Sequence, residues 1–365
     1  MSLTVHYVDQ KWTLQKRIVV FHHVPLPHNS PNLSEKLINF LKDWGFDKKI
    51  FTITLDNAKY NDRVTRLLQN YFLFNGSSIC GSEFLHVRCG AHVLNLIVKA
   101  GLDVIDEAIY KIRESVKYVK GYESRVIKFA ELVKQLSLET NKKLQRDIVT
   151  RWNSTYLMLE RALLFRHAFS RLQDVDDDYK LCPLEEEWQS VEKIAEFLRP
   201  FYDMTLLFSG SKYPTANLYF PNVWKIQCLL NKEANSPDFL ISEMASNMKT
   251  KFQKYWDCYS VILSFAIILD PRYKLQFVEY CFFVLDPQSR DEKVLNIKQK
   301  LFHLFEKYSK ANTATTTAPM EGTFNGDDGQ TRDLMDVSKI DSYVFVFCFN
   351  LYNLKRSIFM IFAGF

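Results

Sequence analysis

The sequence predicts an α/β plus all-α fold: a small mixed sheet with helices, followed by a long helical region. Two β-rich runs open the chain, and the apolar run Ile50–Leu55 lies between two segments with helical periodicity. From about residue 102 to 310, apolar residues recur at helical spacing with almost no strand signal. The first hundred residues therefore predict the order ββ-α-β-α-β.

The strands follow from local patterns. Residues 3–8 and 13–24 are β-rich and flank a polar turn at residues 9–11, which predicts a hairpin. Apolar residues from 33 to 44 recur at helical spacing until Gly45. Ile50–Leu55 is mostly apolar, as expected of a central strand buried on both faces, and residues 83–88 predict one more strand.

The helical region contains candidate helices at residues 104–120, 125–136, 153–171, 184–208, 214–231 and 237–255. Residues 311–332 are rich in Thr, Ala, Gly and Asp, which predicts a flexible linker. We therefore divide the chain into a sheet-containing part at 1–101, a helical domain at 102–310, the linker at 311–332 and an apolar tail at 333–365.

Composition narrows the function classes only slightly. The formal net charge of +5 permits binding to a polyanion without indicating it. The seven cysteines form no CxxC pair, which favours reduced thiols and an intracellular protein, and no signal peptide is visible. Lys355 and Arg356 interrupt the apolar tail, so we predict no membrane span.

Asp56 directly follows the predicted central strand, where open α/β sheets place ligand-binding and catalytic groups. A carboxylate there could bind Mg²⁺ or Mn²⁺, although two-metal phosphodiester chemistry needs several carboxylates. The alternative is that Asp56 caps the next helix. The sequence leaves both interpretations open and favours the cap.

Two further motifs also have two interpretations. Cys89 and His92 have the Cys-x-x-His spacing of a zinc half-site, but no second ligand pair lies nearby in the sequence, so we predict a packed cysteine and a hydrogen-bonded histidine. Arg151 and Trp152 open a helix and could pair with phosphate and stack on a base, or Trp152 could be a core residue.

Basic residues are densest between residues 111 and 151. The alternatives are a DNA-facing surface that binds phosphates and an ordinary solvated helix face. Lys117 and Lys120 are our principal candidates for DNA contacts. The full set is Lys111, Arg113, Lys117, Lys120, Arg125, Lys128, Lys134, Lys142, Lys143, Arg146 and Arg151.

Five segments in order resemble the plant hAT-superfamily transposases and their domesticated zinc finger BED domain relatives of the RICESLEEPER and DAYSLEEPER type. The resemblance covers about residues 1–310. The segments are ITLDNAKYND (53–62), HVRCGAHVLNLIV (86–98), KIRESVKYVK (111–120), RWNSTYLMLERA (151–162) and LDPRYK (269–274).

The resemblance implies an RNase H-like fold interrupted by a large helical insertion, and a DDE-type triad that binds divalent metal. Asp56 matches the second aspartate, while Cys89 and His92 match a Cys-x-x-His element near the active site. Trp152, with Arg151, matches an Arg-Trp element associated with a flipped base. DNA is then the partner, the nucleus the compartment, and a related transposase or a second copy a further partner.

The departures shape the functional expectation. The first aspartate of the family belongs on a strand upstream of Met1, and no BED zinc finger or terminal glutamate segment is recognisable. We therefore expect an incomplete RNase H-like core at residues 1–101 and a catalytically inactive DNA-binding protein with no certain cofactor. The alternatives are a metal-dependent DDE transposase or nuclease using Mg²⁺ or Mn²⁺, and a non-functional partial gene product.

Overall fold

The computed structural model describes residues 1–315, except 10, 12, 139 and 211–214, together with residues 344–349. The described chain forms two compact units. The first, which we call the sheet unit, comprises Met1–Gly90, Ser209–Phe220 and the described residues from Tyr259 onward. The second, the helical unit, comprises Ala91–Phe208 and Pro221–Cys258.

The sheet unit contains one mixed sheet with the strand order β2-β1-β5-β3-β4. β1 pairs antiparallel with β2 and β5, whereas β3 runs parallel to β4 and β5. This confirms the predicted opening hairpin and the predicted order of elements. The strands are β1 (Ser2–Val8), β2 (Leu14–Phe21), β3 (Ile50–Leu55), β4 (His86–Arg88) and β5 (Val344–Phe349).

Helices α1 (Ser30–Asp43) and α2 (Lys59–Phe74) contribute the apolar core of the sheet unit. The Asn29 side chain caps α1 by accepting a hydrogen bond from the Asn32 backbone N–H at 3.0 Å. Leu37 and Leu41 of α1 are buried in the same cluster as residues of β1 and β3. β3 is buried along its whole length, as predicted for a central strand.

β4 is shorter than predicted, because residues 83–85 are not in a strand. A 3₁₀ turn at Ile79–Ser82 precedes it, and Cys80, Gly81 and Ser82 have φ values of 48°, 63° and 60°. These left-handed backbone conformations cannot continue an extended strand. Only His86–Arg88 therefore pairs with β3.

β5 is the largest departure from the sequence prediction. It comes from the predicted apolar tail and lies between β1 and β3, with Val346 pairing with Val5 on one side and Ile53 on the other. The backbone of β3 is therefore paired on both sides, by β4 and by β5. The other tail residues, 333–343 and 350–365, lie outside the described residues.

The remaining helices largely follow the predicted segments. The predicted helix at 153–171 is two helices, because the chain breaks at Phe165, and the predicted helix at 237–255 extends to Ile268. They are α3 (Gly90–Leu102), α4 (Asp106–Val119), α5 (Glu123–Gln135), α6 (Trp152–Leu164), α7 (Arg166–Val175), α8 (Glu185–Phe208), α9 (Ala216–Glu233), α10 (Phe239–Ile268), α11 (Lys274–Leu285) and α12 (Arg290–Thr315).

α12 also corrects the start of the predicted linker. The helix continues through Thr315, five residues into the segment that we predicted as flexible from Ala311. Residues 316–332 of that segment lie outside the described residues. Among the described helices, none has a stretch that is both long and apolar enough to cross a bilayer.

Replacing Val346 with proline tests whether β5 is a central strand in solution. Proline removes an N–H from the middle of the sheet and leaves a buried carbonyl without its donor. We expect Val346→Pro to lower the free energy of unfolding by about 2 to 4 kcal/mol in urea titrations. Val346→Thr keeps the N–H and should cost clearly less; equal losses would contradict the central position of β5.

Candidate functional site

Asp56 lies at the carboxyl end of β3, where its side chain organises the turn into α2. Its Oδ1 atom accepts hydrogen bonds from the Ala58 backbone N–H at 3.0 Å and from Asn61 Nδ2 at 2.6 Å. Asn61 Nδ2 also donates to the Asp56 carbonyl oxygen at 3.2 Å. Asp56 therefore forms a side-chain turn ahead of α2. The N-cap residue of α2 is Ala58 and no side chain caps this helix, so the capping interpretation that the sequence favoured is wrong.

The strands beside Asp56 carry no further carboxylate. β4 reads HVR and β5 reads VFVFCF. The nearest acidic residue of α2 in this region, Asp62, forms an ion pair with Arg88 at 3.2 Å. Burial, together with the nearby Arg88 charge, lowers the pKa of His86 to about 4, so this imidazole is neutral near pH 7.

These residues do not fit the metal pair that a DDE-type centre needs. Such a centre holds its ions with several converging carboxylates. Within the described part of the chain, no group of three or more His, Cys, Asp or Glu side chains is placed to hold a metal ion. Of the two described carboxylates at this edge, Asp62 is paired with Arg88, and one oxygen of Asp56 already accepts two hydrogen bonds.

Cys89 adjoins Asp56 through the sheet. Its backbone N–H donates to the Leu55 carbonyl at 2.8 Å, and its thiol lies near the buried Tyr219. Burial, with a smaller contribution from Cys89, raises the pKa of the Tyr219 hydroxyl. His92 lies in the first turn of α3 and belongs to the helical unit.

Trp152 is a core residue of the helical unit. Only 1% of its surface is exposed, and its ring contacts Tyr156 and Tyr202 at centroid distances of 6.4 and 6.5 Å. Its backbone N–H donates to Asn95 Oδ1 at 3.2 Å. In this conformation the indole cannot stack on a base. Of the two interpretations that the sequence left open for Trp152, the structure shows the core residue. Arg151, the N-cap residue of α6, is partly exposed.

Many of the basic residues between residues 111 and 151 form ion pairs with carboxylates, so the region carries less unpaired positive charge than its sequence suggests. Arg113 forms a largely buried ion pair with Asp147 at 2.9 Å, so most of its side chain is withdrawn from the surface. At least five of the eleven basic residues have carboxylate partners. The ion pairs are Lys111–Glu187, Arg113–Asp147, Lys117–Glu114, Lys128–Asp176 and Lys142–Glu160.

A smaller basic patch remains where the end of α4 meets the segment before α6. Lys120 Nζ donates to the Leu144 carbonyl at 3.1 Å, and Arg146 Nη2 donates to the Lys120 carbonyl at 2.6 Å. These two hydrogen bonds hold the segment against the helix end. We define the basic patch as Lys117, Lys120, Lys142, Lys143 and Arg146, all of them exposed.

Asp270, in the LDPRYK segment, is a functional candidate that sequence reasoning left without a role. It is 7% exposed, and its two oxygens accept hydrogen bonds from Arg272 Nε at 2.9 Å and Nη2 at 2.7 Å. Asn217 Nδ2 donates to the same carboxylate at 2.9 Å. Hydrogen bonding to Arg272 strongly lowers the pKa of Asp270, so this charge fixes the turn between α10 and α11.

Comparison with known families agrees with this architecture. Three family profiles match consecutive parts of the chain: the ZBED1 RNase-like domain over residues 1–84, the ZBED1 RNase-like helical domain over 87–197, and the hAT-like transposase, RNase-H fold, over 217–308. The chain is 34% identical over 322 residues to the zinc finger BED domain-containing protein RICESLEEPER 2 of Oryza sativa subsp. japonica.

The chain belongs to the hAT transposase family. It is also 34% identical over 359 residues to a putative AC transposase of Zea mays, and 30% identical over 324 residues to DAYSLEEPER of Arabidopsis thaliana. The matches to RICESLEEPER 2, the AC transposase and DAYSLEEPER cover 88%, 94% and 89% of this chain. This hAT chain spans less than half of each relative, at 45%, 44% and 46% of their lengths.

Substituting Asp56 separates its role as a hydrogen-bond acceptor in the turn before α2 from any role of its charge. Asp56→Ala removes the acceptor for Ala58 and Asn61, so we expect a loss of about 1 kcal/mol in the free energy of unfolding. Asp56→Asn keeps an Oδ1 acceptor and should retain most of that stability. Urea titration checks both variants, and an equal loss in the two would contradict the acceptor role.

Proposed function

We propose that this chain is a hAT transposase-derived protein that binds DNA through its helical unit and does not cut it. Its relatives are named as transposases and as zinc finger BED domain-containing proteins, which supports DNA as the partner. The engagement of both nearby carboxylates, Asp56 in the turn before α2 and Asp62 in an ion pair with Arg88, is the observation that carries the inactivity. DNA as the partner in turn supports a nuclear location.

The sheet supports the same proposal. The resemblance assigns the first catalytic aspartate to a strand that neighbours the central strand β3. In the described structure that neighbouring position is taken by β5, which contains neither Asp nor Glu. We infer that the RNase H-like core is incomplete in its catalytic residues while its sheet is paired, so the fold persists without the metal centre.

The basic patch is suited to the phosphate backbone. Exposed ion pairs contribute only about 0 to 1 kcal/mol, so a phosphate can replace the carboxylate partners of Lys117 and Lys142 at little cost. Lys143 and Arg146 are exposed beside them. Each lysine or arginine that contacts a phosphate releases counterions from the DNA, which makes such binding depend on salt.

Neutralising the patch tests this surface. We expect the triple variant Lys117→Gln, Lys142→Gln and Lys143→Gln to reduce the slope of log affinity against log salt by about 2 to 3, because each lost phosphate contact removes about 0.9. Fluorescence anisotropy with a 30-base-pair duplex between about 50 and 200 mM salt measures the slope.

The matched control removes three exposed lysines elsewhere in the helical unit. It carries Lys193→Gln, Lys232→Gln and Lys254→Gln, which change the net charge by the same amount. The control should keep the wild-type slope. If the two triple variants weaken binding equally, general charge rather than the patch drives association, and the proposed surface is wrong.

Metal binding tests the proposed loss of the catalytic centre. We expect wild-type protein and Asp56→Asn to bind the same amount of Mn²⁺, because Asp56, already hydrogen-bonded to Ala58 and Asn61, does not form a two-ion site. Titration followed by the electron paramagnetic resonance signal of free Mn²⁺ reports the bound fraction. A Mn²⁺ ion bound by wild type and lost in Asp56→Asn would show that Asp56 is a metal ligand.

A further inference from the structure

The turn between α4 and α5 places an exposed aromatic ring next to the basic patch. Tyr122 follows Lys120 by two residues, and 66% of its surface is exposed. Tyr122 is also the N-cap residue of α5, with an extended backbone conformation at φ −134° and ψ 146°. A large apolar ring at such a position has no role in the core of the helical unit.

Arg125 holds this turn in place through its planar guanidinium. The guanidinium carbon lies 3.8 Å from the centroid of the Tyr118 ring and 4.8 Å from that of Tyr122. The Tyr118 hydroxyl donates to Asp176 Oδ1 at 3.1 Å, and Asp176 pairs with Lys128 at 3.3 Å. The Arg125 guanidinium therefore contacts both the Tyr118 ring, whose hydroxyl is hydrogen-bonded to Asp176, and the exposed Tyr122 ring. Arg125 thus supports the Tyr122 ring on one side.

Two aliphatic side chains extend the apolar surface along α5. Val126 and Ile127 are 44% and 55% exposed, whereas Phe129 and Leu132 form the buried face of the helix. Val126 follows Tyr122 by four residues and so lies on the same side of α5. The result is a narrow apolar strip that ends in Tyr122 at the edge of the basic patch.

The hydrogen bonds of the patch bring cations close to this ring. The Lys120 carbonyl accepts from Arg146, and the Lys120 ammonium group donates to the Leu144 carbonyl. The Arg146 guanidinium is thereby held at the Lys120 carbonyl, two residues before Tyr122. This combination of a stacking surface with flanking cations is typical of proteins that bind unpaired nucleotides.

We propose that Tyr122, supported by Arg125, stacks on an unpaired base of a DNA strand whose phosphates contact the basic patch. This rests on the proposed function and specifies its ligand as DNA with unpaired nucleotides. Bases inside a duplex are already stacked on each other, so only an unpaired base offers a free face to the ring. Stacking of this kind is tolerant of sequence, because every base has such a face.

Charge favours nucleic acid over a protein partner for this surface. Lys120 of the basic patch lies two residues before Tyr122 and its carbonyl accepts from Arg146, and the exposed strip beyond Tyr122 is short. Binding surfaces between proteins are instead depleted in lysine at their centres. A nucleic acid matches both features of this surface, because its phosphates are anionic and its bases can stack on the Tyr122 ring.

The test compares one duplex with the same duplex carrying a ten-nucleotide single-stranded overhang. We expect Tyr122→Ala in the full chain to weaken binding of the overhang DNA about tenfold, and to leave duplex binding within about twofold. Tyr122→Phe keeps the ring and should retain wild-type affinity for both. Tyr110→Ala is the matched control, because Tyr110 is 51% exposed on α4 and precedes Lys120 by ten residues, about 15 Å along the helix.

The other outcomes separate this inference from the proposed function. If wild type binds the duplex and gains nothing from the overhang, or if Tyr122→Ala weakens both ligands equally, the stacking role is wrong while DNA binding stands. If Tyr122→Ala alters the oligomeric state by light scattering and leaves overhang binding unchanged, the strip is a contact between copies, which also overturns it. If wild type binds neither DNA, the proposed function itself fails.

Discussion

The pairing of β3 on both sides is the constraint on which the sheet unit depends. β3 is buried along its length, so its backbone N–H and carbonyl groups need partners within the protein. β4 supplies them on one side and β5 on the other. This pairing fixes the carboxyl end of β3 and thereby the position of Asp56, from which the turn into α2 begins.

The same constraint separates fold from catalysis in this family member. A strand beside β3 satisfies the backbone whatever its side chains are, whereas a two-metal centre needs carboxylates at defined positions. β5 meets the first requirement and contributes no carboxylate. Asp56 then serves local structure by accepting hydrogen bonds in the turn before α2, and the groups suited to DNA lie in the helical unit, in the basic patch and at Tyr122.

The sequence predicted those features that depend on local patterns. The opening hairpin, the buried β3 and most helices follow from periodicity and turn residues, and they were confirmed. β5 was missed because it pairs with residues roughly 300 positions away, and an apolar run near a chain end has the same pattern as an unstructured tail. The neutralisation of Arg113 and the burial of Trp152 also depend on tertiary contacts, with Asp147 and Tyr202, that spacing does not encode.

We propose that this hAT chain binds DNA without cutting it. Incubating the full chain with end-labelled terminal-inverted-repeat DNA and Mn²⁺ measures both properties at once. Binding is followed by mobility shift and cleavage on a denaturing gel, with Asp56→Asn in parallel. We expect a shifted complex whose DNA strands stay intact with both the wild-type protein and Asp56→Asn. Nicked or hairpin products formed by wild type and absent with Asp56→Asn would contradict it.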